Sequence, residues 1–284
     1  MNPPVKKLFE YDRRIERAVE LTVRYPFARA PLAFYEEIVK FQKELHSALA
    51  ENWGSEPAVP ADANLRSELN FGVLLPEYPK FLAVVEQHAP GPLAATAARV
   101  ALRSSAAWMA LLNSYWTHGG KDPESGGVPP PAEMDALQEF LARGFLQGYA
   151  EFVSEKLPEP VLDSTPYLCP KCDSLPLLGV LRPEGDGGKR WLRCGFCGHE
   201  WGFRRLLCAS CGEEREDKLP VYVAEQFPHI RVEACDTCKR HLRTVDLTKD
   251  GNAVPETDDL AAIPLTLWAQ EFGYARIFPN MLGA

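Results

Sequence analysis

Cysteine is absent from most of this 284-residue chain: all eight lie between Cys169 and Cys238. No apolar run approaches the roughly 18 residues that a membrane span requires, so stable membrane insertion is not expected. Met1–Pro4 is followed by Lys6 and Lys7 rather than an apolar stretch. The expected compartment is therefore the reducing cytoplasm, where thiols stay free to bind metal. Basic charge is in deficit, with a formal net charge of -8. Nucleic-acid binding needs a positive field, so that partner class is disfavoured. The chain shows no Ser-His-Asp arrangement, phosphate-binding glycine loop or His-Glu-x-x-His motif, and nothing marks it as an enzyme.

What is present is a set of four Cys-x-x-Cys pairs: Cys169/Cys172, Cys194/Cys197, Cys208/Cys211 and Cys235/Cys238. A tight turn lets both thiolates of a pair reach one ion, and a second turn on a neighbouring hairpin completes a tetrahedron. The spacings Cys-x2-Cys-x21-Cys-x2-Cys and Cys-x2-Cys-x23-Cys-x2-Cys repeat one plan. Each spacer suffices for a β-hairpin, and about one strand separates Cys197 from Cys208. The pairs are therefore expected to join sequentially, 169/172/194/197 and 208/211/235/238, in two rubredoxin-like or zinc-ribbon modules. Each is too small to fold on apolar packing alone, so metal supplies the missing stability.

The first 160 residues read as helices. Tyr11, Ile15, Ala18 and Val19 lie near one face of the first. Phe34, Ile38, Phe41, Leu45 and Leu49 form an apolar stripe over 31–50. Residues 54–64 read as a loop, and 65–74 as a short segment packing Leu65, Leu69 and Leu74. Pro76 suits the first turn of a helix running to His88, and 93–117 reads as one buried helix. Residues 119–131 read as a loop before a last helix over 132–156. After Pro158-Glu159-Pro160 the pattern changes to short strands. Pro176–Arg182, Arg190–Arg193, a strand alternating Trp201, Phe203 and Leu207, Val221–Ala224, Ile230–Ala234 and Leu242–Leu247 are expected. Thr257 or Asp258 could cap a closing helix, and Pro264 interrupts its apolar face. The expected fold is α+β: a helical domain (1–160), two tandem metal ribbons (161–204 and 205–250) and a short helical tail (251–284).

Four thiolates leave no open position, so zinc there would be structural; iron in the same ligands would carry one electron. Gly195, Gly198 and Gly212 let backbone amides face sulfur with either ion. The ligands admit both, and physics alone favours zinc as scaffold. His199, His229 and His241 lie near the turns and are expected outside the ligand sets. Arg190, Arg193, Arg204 and Arg205 with Trp191, Trp201 and Phe203 could stack bases or bind a protein. The acidic balance favours a protein. A partner surface is expected around Trp201, Arg204 and Arg205, although Trp201 and Phe203 could equally pack the ribbon pair.

At this point the chain resembles the formate dehydrogenase accessory (formation) protein family over nearly its whole length. The marks are Cys169-Pro170-Lys171-Cys172 with Ser174 and Pro176, Arg193-Cys194-Gly195-Phe196-Cys197 with Trp201, and Cys208-Ala209-Ser210-Cys211-Gly212. Glu233-Ala234-Cys235-Asp236-Thr237-Cys238 before Leu242, Asp258-Asp259-Leu260 and Glu271-Phe272-Gly273-Tyr274 complete them. Asp173 stands where the family's first turn often has glycine. The resemblance implies a cytoplasmic accessory protein rather than a dehydrogenase. It would bind the catalytic subunit of a molybdenum or tungsten formate dehydrogenase before twin-arginine export. It also implies two rubredoxin-like iron centres per chain, each with four Cys ligands, which moves the expected metal from zinc to iron. A zinc-ribbon nucleic-acid-binding protein and a small electron carrier are the alternative classes.

Overall fold

The computed structural model describes residues 3–52, 64–67, 69–121, 134–162, 164–184 and 187–283. The expected loops over 54–64 and 119–131 lie largely outside them. The apolar stripes become the helices α1 (Pro3–Arg24) and α2 (Arg29–Asn52), and Phe34, Ile38, Phe41, Leu45 and Leu49 are all buried. A 3-10 turn at Leu65–Ser67 and a short α3 (Phe71–Leu74) follow. The next helix, α4, spans Tyr78–His88. It begins beyond Pro76, and Pro79 takes the first-turn place where a missing N–H costs nothing.

The single helix expected over 93–117 is two, α5 (Gly91–Ala101) and α6 (Ser105–His118). Ser104 breaks the run by capping α6, its hydroxyl accepting from the Ala107 N–H at 3.3 Å. The last long helix, α7 (Ala136–Lys156), starts at an Asp135 cap and is buried along most of its length. It is the axis on which α2, α4, α5 and α6 pack.

Seven strands form one sheet. They are β1 (Pro176–Glu184), β2 (Gly187–Cys194), β3 (Glu200–Gly202), β4 (Val221–Ala224), β5 (Phe227–Ala234), β6 (Arg240–Asp246) and β7 (Ala275–Arg276). The order is β3-β2-β1-β6-β5-β4, with β7 beside β6. Each Cys-x-x-Cys unit supplies an antiparallel hairpin, β1–β2 and β5–β6. The two hairpins join through parallel pairing of Gly179, Val180 and Leu181 with Thr244, Val245 and Asp246. Gly179 makes this approach possible, because a Cβ there would sit 2.3 Å from the Thr244 hydroxyl.

β3 is shorter than the expected strand through Leu207. After Phe203 donates its N–H to Arg190 O, the buried Arg190 guanidinium takes over and binds the carbonyls of Arg204 (2.9 Å) and Leu207 (3.0 Å). A side chain thus satisfies backbone groups that strand pairing would otherwise have used. The tail forms α8 (Pro255–Ala261) and α9 (Ile263–Glu271), broken at Ala262 with Pro264 in the first turn of α9. Thr257 and Asp258 lie inside α8 rather than capping it. Asp258 instead reaches back to accept the Val254 N–H at 2.8 Å.

Candidate metal centres

The eight cysteines gather into two groups, Cys169/Cys172/Cys194/Cys197 and Cys208/Cys211/Cys235/Cys238. This is the sequential pairing that the spacing implies. A tetrahedral ion with sulfur at about 2.3 Å holds its ligands about 3.8 Å apart. In the first group the Sγ atoms lie 3.6 Å apart for Cys169/Cys197, 3.4 Å for Cys172/Cys194 and 3.5 Å for Cys172/Cys197. In the second, Cys208/Cys238 are 3.8 Å and Cys211/Cys235 3.7 Å apart. Disulfide sulfurs would lie near 2.05 Å. The donor set and its spacing fit a thiophilic ion of zinc or iron size.

The backbone explains how the pairs reach inward. The residue after the second cysteine of every pair is left-handed: Asp173 (φ 57), Gly198 (φ 68), Gly212 (φ 75) and Lys239 (φ 56). That turn aims amides at sulfur. Cys194 Sγ accepts from Phe196 N (3.3 Å) and Cys197 N (3.4 Å), and Cys208 Sγ from Ser210 N (3.4 Å) and Cys211 N (3.5 Å). Two of the four positions lack glycine. Asp173 is steadied by the Asn64 amide, which donates to its carboxylate at 2.7 Å.

Burial pushes the Cys169 and Cys197 thiols well up. Burial also opposes the Cys172 thiolate, but hydrogen bonds from Cys169, Cys194 and Cys197 hold it well down. In the second group burial lifts Cys238 to about 11. Four thiolates cannot share such a site unless a cation offsets their charge.

The groups differ in setting. The first is 0–3% exposed and belongs to the main core, where Phe196 packs on Tyr115 and Trp116. In the second, Cys211 is exposed and Cys238 half-buried. Arg66 ties the first group to the helices. Its guanidinium donates to the carbonyls of Trp116, Gly119 (2.6 Å) and Cys172 (3.2 Å) and to Ser174 Oγ (2.6 Å), and lies 4.4 Å over Phe196. Ser174 Oγ is in turn 3.3 Å from Cys172 Sγ. Sequence reasoning missed Arg66, because one arginine among 31 basic residues carries no spacing signal.

A second clamp is ionic. Arg14 on α1 pairs with Glu151 on α7 (3.1 Å) and Glu256 on α8 (2.9 Å). Arg193 on β2 pairs with Glu256 and with Glu200 (2.9 Å). These groups floor a cleft of about 910 Å³ that reaches Cys197.

The three nearby histidines lie outside both cysteine groups. His199 stacks on Trp201, and His241 Nδ1 is 3.3 Å from Tyr274 O. His229 lies 2.8 Å from Asp258, which with Asp250 makes a third cluster of potential ligands. Arg17 fills that cluster, 2.7 Å from Asp258 and 3.0 Å from Asp250, so a guanidinium already supplies the positive charge. Trp201 lies inside, 2% exposed, with Nε1 donating to Pro166 O at 2.9 Å. Its ring packs within the ribbon. Arg204 and Arg205 are exposed.

Comparison with known proteins adds the following. The family model described as "FdhE, central domain" matches residues 168–205, and "FdhE, C-terminal domain" matches 206–282. A "Protein FdhE homolog" of Aquifex aeolicus is 25% identical over 96% of this chain and 95% of its own length. A namesake from Pseudomonas aeruginosa is 35% identical over 40% of this chain and 39% of its own. One from Haemophilus influenzae is 35% identical over 38% of this chain and 35% of its own. The crystal structure of the FdhE protein from Pseudomonas aeruginosa superposes with a TM-score of 0.67 at 23% identity, covering 96% of this chain and 95% of that one, a likeness of fold.

Proposed function

We propose that this chain, whose residues 168–205 and 206–282 match the FdhE models and which is similar to an FdhE homolog over nearly its whole length, is an accessory factor of that family rather than an enzyme, and that it binds the immature catalytic subunit of a formate dehydrogenase. The partner would be a molybdenum or tungsten enzyme held in the cytoplasm until twin-arginine export. No helix among the described residues is long and apolar enough to cross a membrane, which is compatible with that place of action. The observation that carries the reading is the pair of four-cysteine clusters within the segments matched by the two family models.

Each cluster would hold one iron in a rubredoxin-like ribbon: Cys169, Cys172, Cys194 and Cys197 in the first, Cys208, Cys211, Cys235 and Cys238 in the second. Bound iron would supply a one-electron couple, and zinc in the same ligands would supply scaffold alone. The protein's part is to orient thiolates with amide hydrogen bonds and to offset their charge, with Arg66 beside the first site. The partner surface first placed around Trp201, Arg204 and Arg205 narrows to the two exposed arginines.

The test is co-purification. Tagged chain from cells making a respiratory formate dehydrogenase should retain the catalytic subunit at physiological salt. Absence of that subunit, with RNA or DNA recovered in its place, would replace this reading with that of a nucleic-acid-binding zinc ribbon.

A further inference from the structure

β4 is the outermost strand of the sheet, with β5 on one side and no described residue bonded along its other edge. Parity fixes which of its backbone groups are free. The Ala234 N–H donates to Pro220 O at 3.0 Å, and the ladder pairs Val221 with Glu233 and Tyr222 with Val232. Bonded pairs therefore fall at Pro220 and Tyr222. The N–H and C=O of Val221 and Val223 point out of the sheet. Such a row of alternating donors and acceptors is matched along its length by another extended backbone, and by no helix, sugar or base.

The side chains flanking this edge are apolar on both faces. Val221 and Val223 are 53% and 66% exposed on one face. On the other, Tyr222 packs on Trp268 and Trp268 on Phe272, each with ring centroids 4.7 Å apart. Leu267 and Phe272 remain more than half exposed beside them. Soluble proteins usually blunt open edges with lysine, proline or an inward-pointing charge. β4, Val-Tyr-Val-Ala, is short, follows Pro220 and shifts register between Val223 and Ala224, but from Val221 to Ala224 it carries no lysine, proline or charge. The edge also adjoins the more exposed of the two cysteine groups. Lys218 O, just before β4, accepts from Asp236 N at 2.9 Å, and Tyr274 donates to the Asp236 carboxylate at 3.0 Å.

We propose that this edge docks an extended segment of a partner polypeptide as an added strand beside β4. Alternate apolar side chains of that segment would meet Val221 and Val223 on one face, Trp268 and Phe272 on the other. A second copy of the chain fits less well. Four half-exposed side chains offer only a few hundred Å² per copy, short of the roughly 1,200 Å² total of a stable interface. Backbone pairing carries the proposal, so it stands apart from the formate dehydrogenase reading and can fail or succeed without it.

The test uses the full chain and a short capped peptide alternating valine and threonine, with the same peptide N-methylated along both edges as control. Amide exchange is followed by NMR. At saturating peptide the Val221 and Val223 amides should slow about tenfold, and the methylated peptide should leave them unchanged. Val223→Pro should abolish the response without unfolding the sheet, because the N–H it removes points outward. Val223→Lys gives the same readout should the proline variant misfold. No slowing, equal slowing by both peptides, or an undiminished response in Val223→Lys would overturn the proposal. Concentration-dependent slowing without peptide would also overturn it and assign the edge to a second copy.

Discussion

Replacing Arg66 by methionine should loosen the first metal centre from the helices. Methionine keeps the apolar stem but donates nothing to Tyr115 O, Trp116 O, Gly119 O, Cys172 O or Ser174 Oγ. Hydrogen bonds from a charged donor contribute about 1.5–3 kcal/mol each, and their losses do not simply add. Arg66 is half-buried, so water would replace the outer contacts. With the equivalent of two irreplaceable bonds lost, the variant should be less stable by about 3–4 kcal/mol. Urea unfolding of the metal-loaded protein, followed by circular dichroism, measures this. Ion release to a chelator should quicken at one site only. Arg66→Lys keeps the charge without the planar fork and should recover part of the loss. A loss below about 1 kcal/mol, or equal quickening at both sites, would refute the clamp.

The two sites should also differ in the unmutated protein. With Cys211 exposed and the first group 0–3% exposed, one ion should leave to a chelator at least about tenfold faster, and alkylation mapped by mass spectrometry should begin at Cys211. Lys239→Gly relieves a left-handed φ of 56 and loses an exposed pair with Asp236 and a cation–π contact 5.4 Å over the Tyr274 ring, so thermal unfolding should show a gain of no more than about 0.5 kcal/mol. Gly212→Ala should go the other way, because φ is 75 and its Cβ would sit 2.6 Å from the Tyr167 hydroxyl. Burial, then Arg276 and Arg243, pushes His241 down to about 4 from its ordinary 6.5. Its contribution is present above about 6.5 and is lost as pH falls from there to about 4, by roughly 3 kcal/mol. His241→Asn retains a donor for Tyr274 O, so the difference in stability between variant and wild type should grow less unfavourable to the variant across that window.

The ligand sets were legible because metal coordination imposes spacing, and the sequential pairing followed from hairpin-length spacers. Helix stripes were legible for the same reason, since burial repeats every three to four residues. Boundaries failed where one side chain decides them. Ser104 splits α5 from α6 by capping, and Arg190 ends β3 by binding two carbonyls. The merger of the two hairpins depends on Gly179 meeting Thr244, a contact between residues distant in sequence that no local pattern records. Arg66, Arg14, Glu151 and Glu256 were invisible in the same way, and Arg193 stood out only as a candidate surface group. Charges far apart in sequence read as solvated faces until the fold buries them together. Whether Trp201 faced a partner or packed the ribbon stayed open, because period-two alternation does not say which side of a strand is covered.

Native mass spectrometry of the full chain, purified without oxygen from iron-replete cells, tests the central claim most directly. The expected result is one dominant species with two iron ions and eight deprotonated cysteines. A single ion, none, or a mass lowered by disulfides would contradict the paired four-cysteine centres on which the reading stands.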